Sequence, residues 1–288
     1  MIATAALILG LSLAPQTETA VQDVPAVCRH DTAGSMDVQA CADAAPKGSP
    51  VRALALINLA SQAYLAGQYA RALDSYDEAI PPGMAVTSDI VFHAFRGDTY
   101  FHAGRTEAAR EDAGLAWRML KGEVSAAGDP ANDMPVDDQL RFEVLIRILP
   151  ILKDGDAATF AAAKAQVMTL PATDGIALTN RAGLLAKLGD YPAAVADSSA
   201  ALALSPNEAG VQNNHCFILY QAGRAAEGVA YCEAALATLP QAAPIRHSYA
   251  RALAATGRCA EAETQIAEAR RLDPSAVEYV KPLDCTTR

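Results

Sequence analysis

Residues 209–242 read AGVQNNHCFILYQAGRAAEGVAYCEAALATLPQA. The first half runs helical until Gly223, a residue that tolerates the left-handed backbone ending a helix. The second half restarts at once and runs to Leu239, where Pro240 forbids further helix. Two helices joined by so short a turn pack antiparallel, and their close approach demands small residues. The stretch supplies Cys216 on its first helix and Gly228 and Ala235 on its second, while Leu219 fills the gap to the neighbouring unit.

The unit recurs at a spacing of 34 residues. Glycine falls at Gly155, Gly189, Gly223 and Gly257, proline at Pro206, Pro240 and Pro274, and small residues at Ala182, Cys216 and Ala250. A fixed period of this size marks an array of two-helix units. The residues 175–208 repeat the small positions as Ala182, Ala194 and Ala201, and 243–276 as Ala250, Ala262 and Ala269. An ordinary helical bundle with chance alanines is the alternative, but alanine bias cannot place glycine and proline in phase.

This pattern resembles the tetratricopeptide repeat family. The likeness is most specific in LLAKLGDYPAAVADSSAALALSPN (184–207), with the family's Gly-Asp-Tyr turn at Gly189, Asp190 and Tyr191. From the same landmarks 53–86 fits through Gly67, Tyr69, Ala72, Tyr76 and Ala79, and 90–123 through Gly97, Tyr100, Gly104, Ala109 and Ala116. The copy at 141–174 is degenerate: Ile148, Phe160 and Val167 stand at the small positions, and Pro150 is expected to interrupt its first helix. The resemblance implies an all-α, right-handed superhelical solenoid of about six helix-turn-helix repeats. It divides the chain into two repeats at 53–123, an inserted loop at 124–140, four repeats at 141–276 and a capping tail at 277–288.

Family members use the first helices to line a concave groove that holds a peptide or a partner's helix. The resemblance therefore implies groove positions at Asn58, Asn180 and Asn214, whose amides would bond a ligand backbone. Tyr64, Phe101, Phe217 and Tyr220 would be groove aromatics, with packing inside the fold as the competing role. His247 and Arg251 lie four apart on one helix face and look toward the same groove. The paired Lys-Asn/Arg clamp that some members use for a terminal carboxylate is not reproduced, so chaperone-type tail capture is not expected.

The formal charge is −10, with no basic run. Acidic helices do not hold a phosphate backbone, so nucleic acid is excluded as a partner, and most charges belong to solvated outer faces. From Ile2 to Leu13 the chain is apolar apart from Thr4 and Ser12, the length of a signal-peptide core. It is too short to span a membrane, which takes about 20 residues. Ser12-Leu13-Ala14 offers the small residues of a cleavage site. No Lys or Arg precedes the run and Pro15 would follow the cut, so cleavage nearer Ala20 is the alternative and residues 1–20 are assigned as the signal. Export to a periplasm or the cell exterior follows, with no stable membrane span in the mature protein. The next segment, 21–52, is rich in Pro, Ser, Thr, Asp and Gly and reads as an irregular leader.

Six cysteines are present: Cys28, Cys41, Cys216, Cys232, Cys259 and Cys285. An even count behind a signal-like start suggests disulfides. Cys216 and Cys232 lie on the two helices of one hairpin, nearly equidistant from its turn, and so face each other. Cys28 and Cys41 share the leader, which leaves Cys259 for Cys285. Free buried cysteine is the alternative at Cys216 and Cys232, where alanine-like packing would accept it.

No familiar catalytic signature stands in the sequence. The sequence has no G-x-S-x-G elbow, phosphate-binding glycine loop or H-E-x-x-H. Asn213, His215 and Cys216 carry thiol-protease letters, but neighbours on one helix point in different directions. Cys28, His30, Asp31 and Cys41 match no standard zinc spacing. His93 falls at a core position. The expectation is a non-enzymatic scaffold that binds another protein, with no metal, cofactor or small-molecule substrate. A self-assembling repeat array and an enzyme with a cryptic site near His247 and Arg251 are the rivals.

Overall fold

Among the described residues the helices are short, and most end where the sequence places a turn former. The computed structural model describes residues 25–28, 37–80, 90–123 and 136–285. The segment 1–20 expected to be a signal, most of the inserted loop 124–140 and the end of the first repeat at 81–86 lie outside them. Among the described residues all regular structure is helical: α1 (Val38–Ala44), then six hairpins, α2 (Pro50–Leu65) with α3 (Tyr69–Ala79), α4 (Ile90–His102) with α5 (Thr106–Leu120), α6 (Asp138–Leu152) with α7 (Ala157–Thr169), α8 (Gly175–Lys187) with α9 (Tyr191–Leu204), α10 (Ala209–Gln221) with α11 (Ala225–Thr238), and α12 (Ala243–Ala255) with α13 (Cys259–Leu272). Two compact units divide between Thr169 and Leu170. The fold is an all-α helical repeat solenoid.

The hairpin turns share one chemistry. At Gly223 the backbone is left-handed (φ 74°). Its N–H donates to Tyr220 O at 3.1 Å and the next N–H, of Arg224, reaches back to Leu219 O at 2.8 Å. These two bonds satisfy carbonyls that the ending helix would otherwise leave bare. The same pair of bonds closes α2, α4, α8 and α12 at Gly67, Gly104, Gly189 and Gly257. Gly155 keeps the period but not the geometry, for its φ is not positive and the second bond is missing. In that hairpin α6 ends at Leu152 and four residues separate the helices.

The small-residue positions are where paired helices touch. Ala182, Cys216 and Ala250 on first helices, and Ala194, Ala201, Ala235, Ala262 and Ala269 on second helices, are fully enclosed. Gly228 is tighter still: a Cβ there would sit 2.9 Å from Cys216 O. In the 141–174 copy Ile148 and Val167 are enclosed at these positions, while Phe160 is half-buried.

Four expectations need correction. Residues 21–52 are not wholly irregular: a 3-10 turn covers Ala26–Cys28, and α1 is capped by Asp37, whose carboxylate accepts from Ala40 N at 2.9 Å. Arg52 holds α1 in place by donating to Ala42 O and to Ala45 O while pairing with Glu78 on α3. The first hairpin starts at Pro50 behind the Ser49 cap rather than at 53. The inserted loop stops before α6, which begins at Asp138 under an Asp137 cap. Pro150 does not interrupt α6. It stands in the last turn, where a missing N–H removes a single helical bond, and the helix runs on to Leu152.

The tail forms one 3-10 turn, Val277–Val280, followed by chain without regular structure to Cys285. Tyr279 is buried among Ala243, Ala250, Ile266 and Ala269. No helix among the described residues is long and apolar enough to cross a membrane.

Candidate interaction surface

In the unit from Leu170 onward, α10 packs against both α8 and α12, so three first helices lie side by side. Residues at matching offsets on successive helices therefore share a face. Asn180 on α8 is exposed. Asn214 on α10 lies opposite Gly183, whose added Cβ would stand 3.8 Å from the amide Nδ2. The side-chain oxygens of Gln212, Asn213 and Asn214 are buried without a donor. Phe217 and Tyr220 are half-buried, with ring centroids 5.8 Å apart, and Phe217 continues to His247 on α12 at 6.1 Å.

His247 and Arg251 lie on this face but are not open to it. The His247 ring packs against Tyr279 of the tail at 5.1 Å. Arg251 donates from Nε to His247 Nε2 at 3.3 Å, from Nη1 to Pro282 O at 2.8 Å and from Nη2 to Lys281 O at 3.3 Å. Burial, with Arg251 close by, holds the His247 imidazole below its ordinary pKa. Tyr220 also turns partly inward, against the cluster of Cys216, Cys232 and Leu253.

The candidates of the 25–169 unit have other duties. Asn58 donates its amide to Leu54 O on its own helix at 3.0 Å. The Tyr64 hydroxyl donates to the Asp98 carboxylate, one repeat along the chain. Burial and that carboxylate push the phenol well above its usual range. Around Tyr64 stand Tyr69 at 5.7 Å and Phe95 at 6.1 Å, and Tyr69 stacks on His102 at 4.9 Å. Phe101, half-buried, touches the edge of His102 at 5.7 Å. The Arg147 guanidinium of α6 lies 3.7 Å over Phe95. Tyr69, Phe95, Asp98, His102 and Arg147 were missed in the sequence. Their signal was the phase: Asp98 and His102 lie one turn apart on α4, and Tyr64 stands one period before Asp98.

Buried ion pairs lock two hairpins internally. In α4–α5, Asp112 accepts from Arg96 Nε at 2.7 Å and from Arg96 Nη2 at 2.8 Å, and its Oδ1 lies 2.8 Å from His93 Nδ1. Burial alone would raise the Asp112 pKa, but the hydrogen bonds from Arg96 and His93 outweigh it and hold it low. His93 is buried as its core position predicts, yet its Nε2 has no partner. In α8–α9 the same offsets hold Arg181 and Asp197, joined at 2.6 and 2.9 Å. In α10–α11 they hold His215 and Tyr231, in ring contact at 4.9 Å. His215 also meets Ser198 Oγ at 2.9 Å, a serine–histidine pair packed between α9 and α10 where no substrate reaches it.

The cysteines form three neighbouring pairs: Cys28 with Cys41, Cys216 with Cys232, and Cys259 with Cys285, at Cα separations of 4.7, 5.6 and 5.7 Å. All are within the span a disulfide bridges.

The tetratricopeptide repeat family model matches residues 219–283. No curated protein matches the chain. Among solved structures, a tetratricopeptide repeat protein from Parabacteroides merdae superposes with a TM-score of 0.55 at 16% identity, covering 82% of this chain and 84% of that one. TTC0263, a TPR protein of Thermus thermophilus, gives a TM-score of 0.39 at 18% identity over 79% of this chain and 94% of its own. Only the first superposition is close enough to show a shared fold. The family match over 219–283 and the shared fold support reading the chain as a helical solenoid of tetratricopeptide repeat type.

Proposed function

We propose that the chain is a non-enzymatic scaffold that holds an extended peptide or a helix of a partner protein against α8 and α10. The observation that carries this is the placement of half-buried aromatics and the asparagines Asn180 and Asn214 on one face of neighbouring first helices. Phe217 and Tyr220 offer ring surface beside the exposed Asn180 amide, and a buried aromatic anchor supplies most of the energy in such contacts. His247 and Arg251 are engaged with the tail, which weighs against a hidden catalytic site built on them. The tail over the last hairpin weighs against end-to-end stacking through that end.

An oxidising home outside the cytoplasm fits the cysteines, for all six described thiols fall into pairs and none is left over. We read these pairs as disulfides and the apolar stretch 2–13 as an export signal. Cross-linking pull-down from the native cell envelope tests the scaffold. Phe217→Ala should reduce capture by about 2 kcal/mol, or roughly 30-fold, with native helicity kept. Undiminished capture by that variant would remove the α10 face from the interaction.

A further inference from the structure

The tail after α13 is held the way a bound peptide is held. Its three grips are side-chain groups reaching for backbone carbonyls: Arg270 Nε to Tyr279 O at 2.7 Å, and Arg251 to Lys281 O and Pro282 O. Such grips recognise an extended backbone rather than one sequence. Two side chains then plug pockets. Tyr279 is 3% exposed against His247, and Leu283 touches both the Leu253 cluster and the Ile266 cluster. On either side of Tyr279, Val277 and Val280 are 74% and 66% exposed. A packed helix would bury a continuous stripe. Here a single 3-10 turn buries Tyr279 and the irregular chain after it partly buries Leu283, with little internal bonding. Tyr279 also completes a row of rings that runs Tyr220, Phe217, His247 along the first helices.

We propose that residues 277–285 are an internal ligand, a strap that fills a peptide site on α12 and must be displaced before a partner segment can use it. The site takes a segment with an aromatic residue three positions before a Pro-Leu pair, as in Tyr279-Val280-Lys281-Pro282-Leu283. The inference rests on the reading of the first-helix face as a binding surface and adds the tail as its competitor. A tethered tail acts at high effective concentration. If it is docked 99 times in 100, it weakens an incoming segment about 100-fold.

The test uses the full chain and a fluorescein-labelled peptide of residues 277–284, VEYVKPLD. In one variant the strap loses its anchors through Tyr279→Ala, Leu283→Ala, Cys259→Ser and Cys285→Ser. The peptide should bind this variant at least tenfold more tightly than the unmodified chain, and adding Arg251→Ala should abolish the gain. In parallel, millimolar labelled peptide added to the unmodified chain should speed deuterium uptake at 277–285. That arm decides alone if the variant fails to fold. Equal affinity for both chains, or a folded variant that binds no peptide, overturns the proposal, and so does unchanged uptake. So does a released variant that elutes as a dimer, because the tail would then be seated on a second copy. Loss of capture in Phe217→Ala is read separately, so the strap can fail while the scaffold stands.

Discussion

Asp112 joins a buried imidazole and a guanidinium, and the hairpin α4–α5 depends on its charge. Removing one member of such a group strands the others without compensation, which typically costs about 3 kcal/mol or more. Asp112→Asn should therefore destabilise the 25–169 unit by that order, read from Trp117, the single tryptophan, buried in the same helix. The pH dependence has a defined sign. The folded Asp112 carboxyl titrates lower than in the unfolded chain, so its contribution is present above the unfolded pKa, about 4, and is lost as pH falls through the folded value. His215 and His247 act at higher pH. Burial keeps both neutral, with Arg224 and Arg251 respectively adding to it, so the unfolded chain takes up their protons first. Stability should fall as pH drops below about 6.5 and again below about 4. Urea midpoints followed by Trp117 should show the lower step and lose it in Asp112→Asn. A wild-type midpoint independent of pH between 5 and 3 would contradict this.

At the scale of the helix, two glycines with the same propensity have opposite roles. Gly114 on α5 has open space where a Cβ would go, whereas Gly228 on α11 faces Cys216 O at 2.9 Å, Leu219 Cβ at 3.3 Å and Cys216 Cα at 3.4 Å. Alanine favours helix over glycine by about 1 kcal/mol. Gly114→Ala should therefore raise stability by about that much. Gly228→Ala should lower it by about 1–3 kcal/mol, because α10 and α11 must move apart and the enclosed Cys216–Cys232 pair moves with them. Thermal melts of both variants check the contrast. Two shifts of the same sign would mean that propensity, not close approach, governs these positions.

At the scale of the whole molecule, two compact units share one chain, and the cysteine pairs are divided unequally between them. Cys216–Cys232 and Cys259–Cys285 belong to the unit from Leu170, and Cys28–Cys41 to the other. Closing a loop of about 15 residues contributes on the order of 3 kcal/mol in the chain-entropy model. Reduction should accordingly lower the melting of the 170–285 unit more than that of the unit reported by Trp117. Non-reducing peptide maps that recover all six cysteines as free thiols, or melts unmoved by reductant, would contradict the bridges. With two units, unfolding need not be a single transition, so the two signals are to be fitted apart.

Much of the fold was legible in the residues. The positive-φ turn at Gly223, the small contacts at Cys216 and Ala235 and the helix stop at Pro240 are local requirements, and a local requirement repeated at a fixed period is visible in one dimension. The approach of Cys216 to Cys232 was legible for the same reason, since hairpin register sets which residues face each other. Helix α1 was not, because seven residues too short to persist alone are held by Arg52 and by the neighbouring Cys28. Nor was the fate of the candidate surface. Position in the repeat placed Tyr64, Tyr220, His247 and Arg251 on first helices, but whether each faces solvent depends on what else arrives there. Asp98 took the Tyr64 hydroxyl, the Leu253 cluster drew in Tyr220, and the tail claimed His247 and Arg251. The sequence by itself determined the repeating unit, since that needs only near neighbours along the chain. Tertiary structure alone decided which of its polar and aromatic groups remain available, because that depends on contacts between residues far apart in the chain.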